Sequence, residues 1–197
     1  MRALCGVLAL LVAVTLAVRL NLTAVEHDTS ILGAAWRSFR FFTIWTNALI
    51  GAVCLWIALG GRPAHWITAG LALAIAFVAV VYHTLLAGGQ SYVGAEVYVD
   101  LSVHTLVPIL YILLWAVLLP KQDLAWRDLL YWMAYPVIYC VYALVRAGFD
   151  GTYPYFFLNV PNLGVGGVAA WVAGLSAVFC VAGFVMIAAT RKLSATA

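Results

Sequence analysis

The sequence predicts an all-α integral membrane protein, a single domain over residues 1–197 built as a bundle of six transmembrane helices with both termini in the cytoplasm. Three observations predict it. The 197 residues are 66% hydrophobic and only 9% charged, and the mean hydropathy is +1.07. A water-facing surface needs far more charge than that, so most of this surface faces lipid. The chain also divides into six apolar runs, each close to the roughly 20 residues that cross a hydrocarbon core as a helix. Finally, the period-two alternation of a membrane barrel is absent.

The runs cover about Ala3–Leu20, Phe41–Leu59, Ile67–Leu86, Leu101–Leu119, Leu129–Val145 and Val165–Thr190. The first is a span and not a signal peptide, because Arg19 interrupts its end and no A-x-A site follows at the right place. Ser38 precedes the second run as a candidate N-cap. Gly60, Gly61, Gly88, Gly89, Gly94, Pro63, Pro120 and the Pro154–Pro161 stretch mark the turns between runs. No internal repeat or low-complexity tract interrupts the pattern. The cysteines, Cys5, Cys54, Cys140 and Cys180, all lie in apolar runs without CxxC spacing and read as small buried hydrophobes.

Charge sets the orientation. Arg2, Arg62, Lys121, Arg127, Arg191 and Lys192 fall at one set of helix ends, and Arg19, Arg37, Arg40 and Arg146 at the other. The cation-rich side is cytoplasmic by the positive-inside rule, which puts the protein in the cell membrane with three loops outside. The net charge is only +3 and the basic residues are scattered, which argues against a nucleic-acid partner.

Polar side chains gather at the outer ends of these spans. Thr43 and Asn47 are four residues apart and share a face in the first turns of span two. His83 lies near the end of span three. Asp100 and His104, again four apart, begin span four, while Arg19 and Asn21 end span one and Arg146 and Asp150 end span five. Ionisable groups at membrane depth are costly and concentrate at functional sites. Each also has a plainer explanation. A membrane threonine such as Thr43 usually bonds its own i−4 carbonyl or a neighbouring helix. A lone His83 is more often an interhelical hydrogen-bonding group, Arg37 and Arg40 snorkel to headgroups, and Asp100 is a carboxylate at a helix start. The Asp100–His104 pair resists this treatment, because a carboxylate one turn from an imidazole orients it and stabilises its protonated form.

Pro108 has no N–H to offer the His104 carbonyl, so a kink is expected there, and Pro136 does the same to Trp132. Trp36, Trp66, Trp126 and Trp132 fit interfacial belts. Tyr135, Tyr139 and Tyr142 line one sector of span five, as core or as the wall of an acyl-chain tunnel.

Two segments carry a recognisable pattern: Arg40-Phe-Phe-Thr43-Ile-Trp-Thr-Asn47 opening span two, and Asp100-Leu-Ser-Val-His104-Thr-Leu-Val-Pro108 opening span four. A weaker third is Gly151-Thr-Tyr153-Pro154-Tyr-Phe-Phe157. Together they resemble the androgen-induced protein and androgen-dependent tissue-factor-pathway-inhibitor-regulating protein family and its bacterial six-span relatives. The resemblance implies a threonine hydrolase of fatty acid esters of hydroxy fatty acids or similar acyl esters, with Thr43 as nucleophile and His104 as the catalytic histidine. Animal members tend to carry Asn where Asp100 stands.

That chemistry needs a base to deprotonate the threonine, a group to orient the base, and a donor for the oxyanion. Asp100 is the orienting candidate, and Asn47 or backbone N–H groups at the start of span two are the oxyanion candidates. Arg19 and Arg146 suit a fatty-acyl substrate with a free carboxylate, and His83 and Tyr153 are further substrate-binding candidates. The expected partners are the bilayer and a membrane lipid or fatty-acyl ester, with no cofactor or metal required and no feature fixing an oligomeric state. A zinc-dependent hydrolase ligated by His83, His104 and Asp100 or Glu96 is an alternative, although no HxxxH or HExxH spacing supports it. The other is a non-enzymatic lipid-binding or transport protein, including a haem carrier held by His83 and His104; the lack of an inverted repeat weighs against transport.

Overall fold

A computed structural model describes residues 1–89, 91–121 and 124–195. It is all-helical, with no strand among the described residues. The helices in chain order are α1 (Arg2–Glu26), α2 (Ile31–Ser38), α3 (Phe42–Ala58), α4 (His65–Val81), α5 (Ala95–Leu101), α6 (Val107–Leu118), α7 (Asp128–Asp150) and α8 (Val160–Ala195). A π turn, Tyr82–Leu86, continues α4, and a second, Ser102–Leu106, joins α5 to α6.

Five stretches are long and apolar enough to cross a membrane: Arg2–Glu26, His65–Gly89, Ala95–Leu118, Asp128–Asp150 and Val160–Lys192. The chain is therefore a multi-pass membrane protein. α3 joins that set when taken together with α2, from which it turns by 108°. Val7, Leu10 and Val14 on α1, and Val178, Val181 and Phe184 on α8, are exposed, as lipid-facing stripes are.

The described residues cluster into two compact units. In the first, Met1–Lys121, α1 packs against α2, α3, α5 and α6, and α4 packs against α3 and α6. The α1–α3 contact is close because small residues line it. A Cβ on Gly51 would stand 2.9 Å from Val12 Cγ1, and Cys5 and Cys54 are fully buried nearby. The second unit holds α7, α8 and the short 3₁₀ turn Phe156–Leu158. α7 closes on Gly151 in the left-handed conformation (φ 68°), which glycine adopts without a Cβ penalty. α8 is broken at Gly164 (φ 66°), so its straight apolar part begins near Val165, as the hydropathy placed it.

Several local expectations need correction. Ser38 ends α2 and does not cap α3, whose N-cap is Phe41. The residue that does cap is Ser30, whose Oγ accepts from Gly33 N–H at 3.2 Å at the start of α2. Arg40 is buried, against the expectation that it snorkels to headgroups, while Arg37 beside it is exposed. Trp132 is buried, leaving Trp36, Trp66 and Trp126 exposed. The helix holding His104 starts at Ala95, so Glu96 occupies its first turn and Asp100 lies a turn further in.

Candidate functional site

The site forms inside the first unit, where the start of α3 meets the two π turns. Thr43 is the second residue of α3. The carbonyl four residues before it, Phe39 O, lies outside the helix and already accepts the Trp45 indole N–H at 2.6 Å. Thr43 therefore does not bond its own i−4 carbonyl, as Thr46 and Thr84 do on Phe42 O and Val80 O at 2.9 and 2.7 Å. Its Oγ1 lies instead 3.3 Å from His104 Nε2.

His104 is held from its other side. Asp100 Oδ1 is 2.9 Å from His104 Nδ1, and Asp100 Oδ2 accepts the Tyr82 O–H at 2.6 Å. The Tyr82 ring lies flat on the imidazole, with centroids 3.7 Å apart and planes within 4°. The His104 and Asp100 side chains are 14% and 18% exposed, which shields the pair without sealing it.

The backbone explains why His104 points this way. Without an N–H on Pro108 the helix cannot close an ordinary turn on the His104 carbonyl. It widens into a π turn, in which Val107 N–H donates to Ser102 O five residues back. This is the form taken by the expected kink. The Val103 carbonyl receives Asn47 Nδ2 at 3.2 Å, while the same amide nitrogen donates to Thr43 O at 2.9 Å. Both partners are carbonyls, which fixes the amide orientation. With both N–H groups committed, the reading of Asn47 as an oxyanion donor gives way to one in which it ties α3 to the π turn. Asn47 Oδ1 is buried with no hydrogen-bond partner.

The other sequence candidates fall around or away from this centre. His83 is exposed, with Nε2 3.0 Å from Thr105 Oγ1 and its ring edge-on to Tyr82. Arg19 is half-buried on α1. Tyr92, ahead of α5, has its phenol held above the usual range by burial and then by the Asp100 carboxylate; Arg19 pulls it down and Glu96 pushes it up. Arg19, Tyr92, Glu96 and Asp100 thus share one electrostatic neighbourhood. Asn21 bonds its own Ala17 carbonyl at 2.8 Å. Among the described residues no three His, Cys, Asp or Glu side chains are grouped to hold a metal ion, so His83, His104, Asp100 and Glu96 do not form a ligand set.

Arg146 and Tyr153 belong to the second unit. Arg146 donates to Tyr142 Oη at 2.8 Å and to Asp150 Oδ2 at 3.4 Å. Tyr139, the most buried of the α7 tyrosines, meets Tyr142 and Tyr155, and Phe156 and Phe157 meet Trp171. Of these rings Tyr139 and Phe157 are buried, while Phe156 is exposed.

Tyr82 is the residue sequence reading missed. Its signal was present: Tyr82-His83-Thr84 is a polar triplet ending an otherwise apolar span. No protein-family model, curated protein or solved structure matches the chain.

Proposed function

We propose that the protein is a six-span hydrolase of the cell membrane, with both termini cytoplasmic, that cleaves lipid esters through a threonyl acyl-enzyme. The observation that carries this reading is the line Thr43 Oγ1, His104 Nε2, His104 Nδ1, Asp100 Oδ1, with gaps of 3.3 and 2.9 Å. A nucleophile beside a base, and a base beside an orienting carboxylate, is the arrangement that hydroxyl nucleophiles need.

In the proposed cycle Thr43 Oγ attacks the ester carbonyl carbon as its proton passes to His104 Nε2. Asp100 holds the Nδ1–H tautomer and balances the imidazolium charge. The oxyanion develops near the start of α3, where the Thr43 N–H has no carbonyl four residues back within the helix and the helix dipole favours negative charge. Collapse breaks the ester C–O bond, the leaving alkoxide takes the proton from His104, and the acyl group stays on Thr43. Water then gives its proton to His104 and attacks the acyl carbon. Release of the fatty acid returns the proton to Thr43. The 3.3 Å gap suits a resting site that tightens when substrate binds.

The substrate class is a fatty acid ester of a hydroxy fatty acid or a similar acyl ester, with an acyl chain drawn from the bilayer. Arg19 is the candidate for a free carboxylate on the substrate. The test is hydrolysis of a long-chain p-nitrophenyl ester, with fluorophosphonate labelling, by purified protein. Thr43→Ala and His104→Ala are each expected to lose at least about a thousandfold in kcat while keeping wild-type membrane expression, and Thr43→Ala to escape the label. Normal turnover in either variant would refute the assignment.

A further inference from the structure

We propose that Tyr82 is a positioning residue that fixes the tautomer and the ring plane of His104. The inference rests on the hydrolase reading for its kinetic consequence, but not for its geometry. Tyr82 makes two separable contacts. Its O–H donates to Asp100 Oδ2 at 2.6 Å, which leaves Oδ1 for His104 Nδ1 at 2.9 Å. Its ring covers one face of the imidazole at 3.7 Å, within 4° of parallel.

Each contact removes a freedom that would break the line to Thr43. Without the phenol, the Asp100 carboxylate turns about its last torsion, which is soft, and Nδ1–H loses its fixed acceptor. Without the ring, the imidazole swings about its own soft torsion, and Nε2 leaves the 3.3 Å position beside Thr43 Oγ1. The aromatic face also favours the imidazolium that forms when His104 takes a proton. Tyr82 holds this place because the π turn Tyr82–Leu86 begins with it, opposite the π turn that carries His104. It is itself buried. His83, the neighbour with the more familiar chemistry, faces Thr105 instead.

Two variants separate the contacts. Tyr82→Phe keeps the ring and removes the O–H; Tyr82→Leu removes both. The full-length protein in lipid nanodiscs is tested in two ways. In the kinetic arm, Tyr82→Phe is expected to lower kcat about tenfold with KM unchanged, and Tyr82→Leu about a hundredfold. The second arm uses no substrate. Protein labelled with ¹⁵N-histidine, with His104 assigned by loss of its signals in His104→Gln, is expected to show a single Nδ1–H tautomer. That signature is expected to weaken to tautomer exchange in Tyr82→Phe and to be lost in Tyr82→Leu.

An unchanged His104 spectrum in Tyr82→Leu overturns the proposal, as does a loss confined to KM. Hydrolysis surviving in Thr43→Ala overturns the hydrolase reading instead, and the spectroscopic arm then still decides whether Tyr82 sets His104.

Discussion

Threonines of one type meet opposite fates in α3, and the difference is set by a single neighbour. Thr46 satisfies itself on Phe42 O. Thr43 has its equivalent carbonyl taken by the Trp45 indole, and its hydroxyl turns to His104. The i, i+4 spacing of Asp100 and His104 could be read in the sequence because it needs only one helix. The Thr43–His104 pair is legible only through the family resemblance and the Tyr82–Asp100 pair not at all, because each joins two helices and depends on how they pack. Asn47 is the residue through which this packing can be weakened without touching the reacting groups. Its amide serves the Val103 carbonyl that the π turn leaves over, in a place where water does not offer a substitute. Asn47→Leu keeps the volume and removes both donors. It is expected to cost about 1–2 kcal/mol, read in detergent as a fall in thermal midpoint of roughly 2–4 °C per kcal/mol. Equal midpoints for wild type and Asn47→Leu would mean that the Val103 carbonyl has another donor.

At the scale of elements, hydropathy located the long spans well because lipid exposure imposes length and apolarity together. It placed span two at Phe41–Leu59 against an α3 of Phe42–Ala58. It missed α2, whose eight residues are too few for a span and read as loop. It also started the fourth span late, since Ala95–Leu101 carries Glu96 and Asp100. Pro108 announced a distortion from the sequence alone, but not its form. The form matters, because a π turn inserts one residue and turns everything before it by about 100° relative to α6. Pro108→Ala supplies the missing N–H and lets the turn relax towards an ordinary α-helix. The expected result is a protein at least as stable as wild type, since an interior proline costs a helix about 3 kcal/mol, but with hydrolysis greatly reduced as His104 rotates off Thr43. Activity retained together with a raised midpoint would show that the π turn is held by packing and not by the proline.

For the molecule as a whole, composition made the membrane environment legible, and the exposed valines and leucines of α1, α7 and α8 are its structural counterpart. Orientation rests on a smaller signal, six cations against four at opposite helix ends. It decides which side of the membrane the Thr43–His104 pair faces and so, on the proposed hydrolase reading, where substrate would arrive and a fatty acid would leave. The native cysteines allow a clean test. Cys5 and Cys54 are fully buried, and Cys140 and Cys180 lie within α7 and α8. Single cysteines are introduced at Ser91 and Thr152, which are exposed and on the predicted outer side, and at Arg127, exposed on the predicted inner side. A membrane-impermeant maleimide is expected to label Ser91→Cys and Thr152→Cys in intact cells, and Arg127→Cys only after permeabilisation. The inverse pattern would put the site on the cytoplasmic face, where a water-soluble ester would compete with a lipid one. Labelling of Arg127→Cys and Thr152→Cys from the same side would mean that α7 does not cross the membrane, and would bring the count of spans below six.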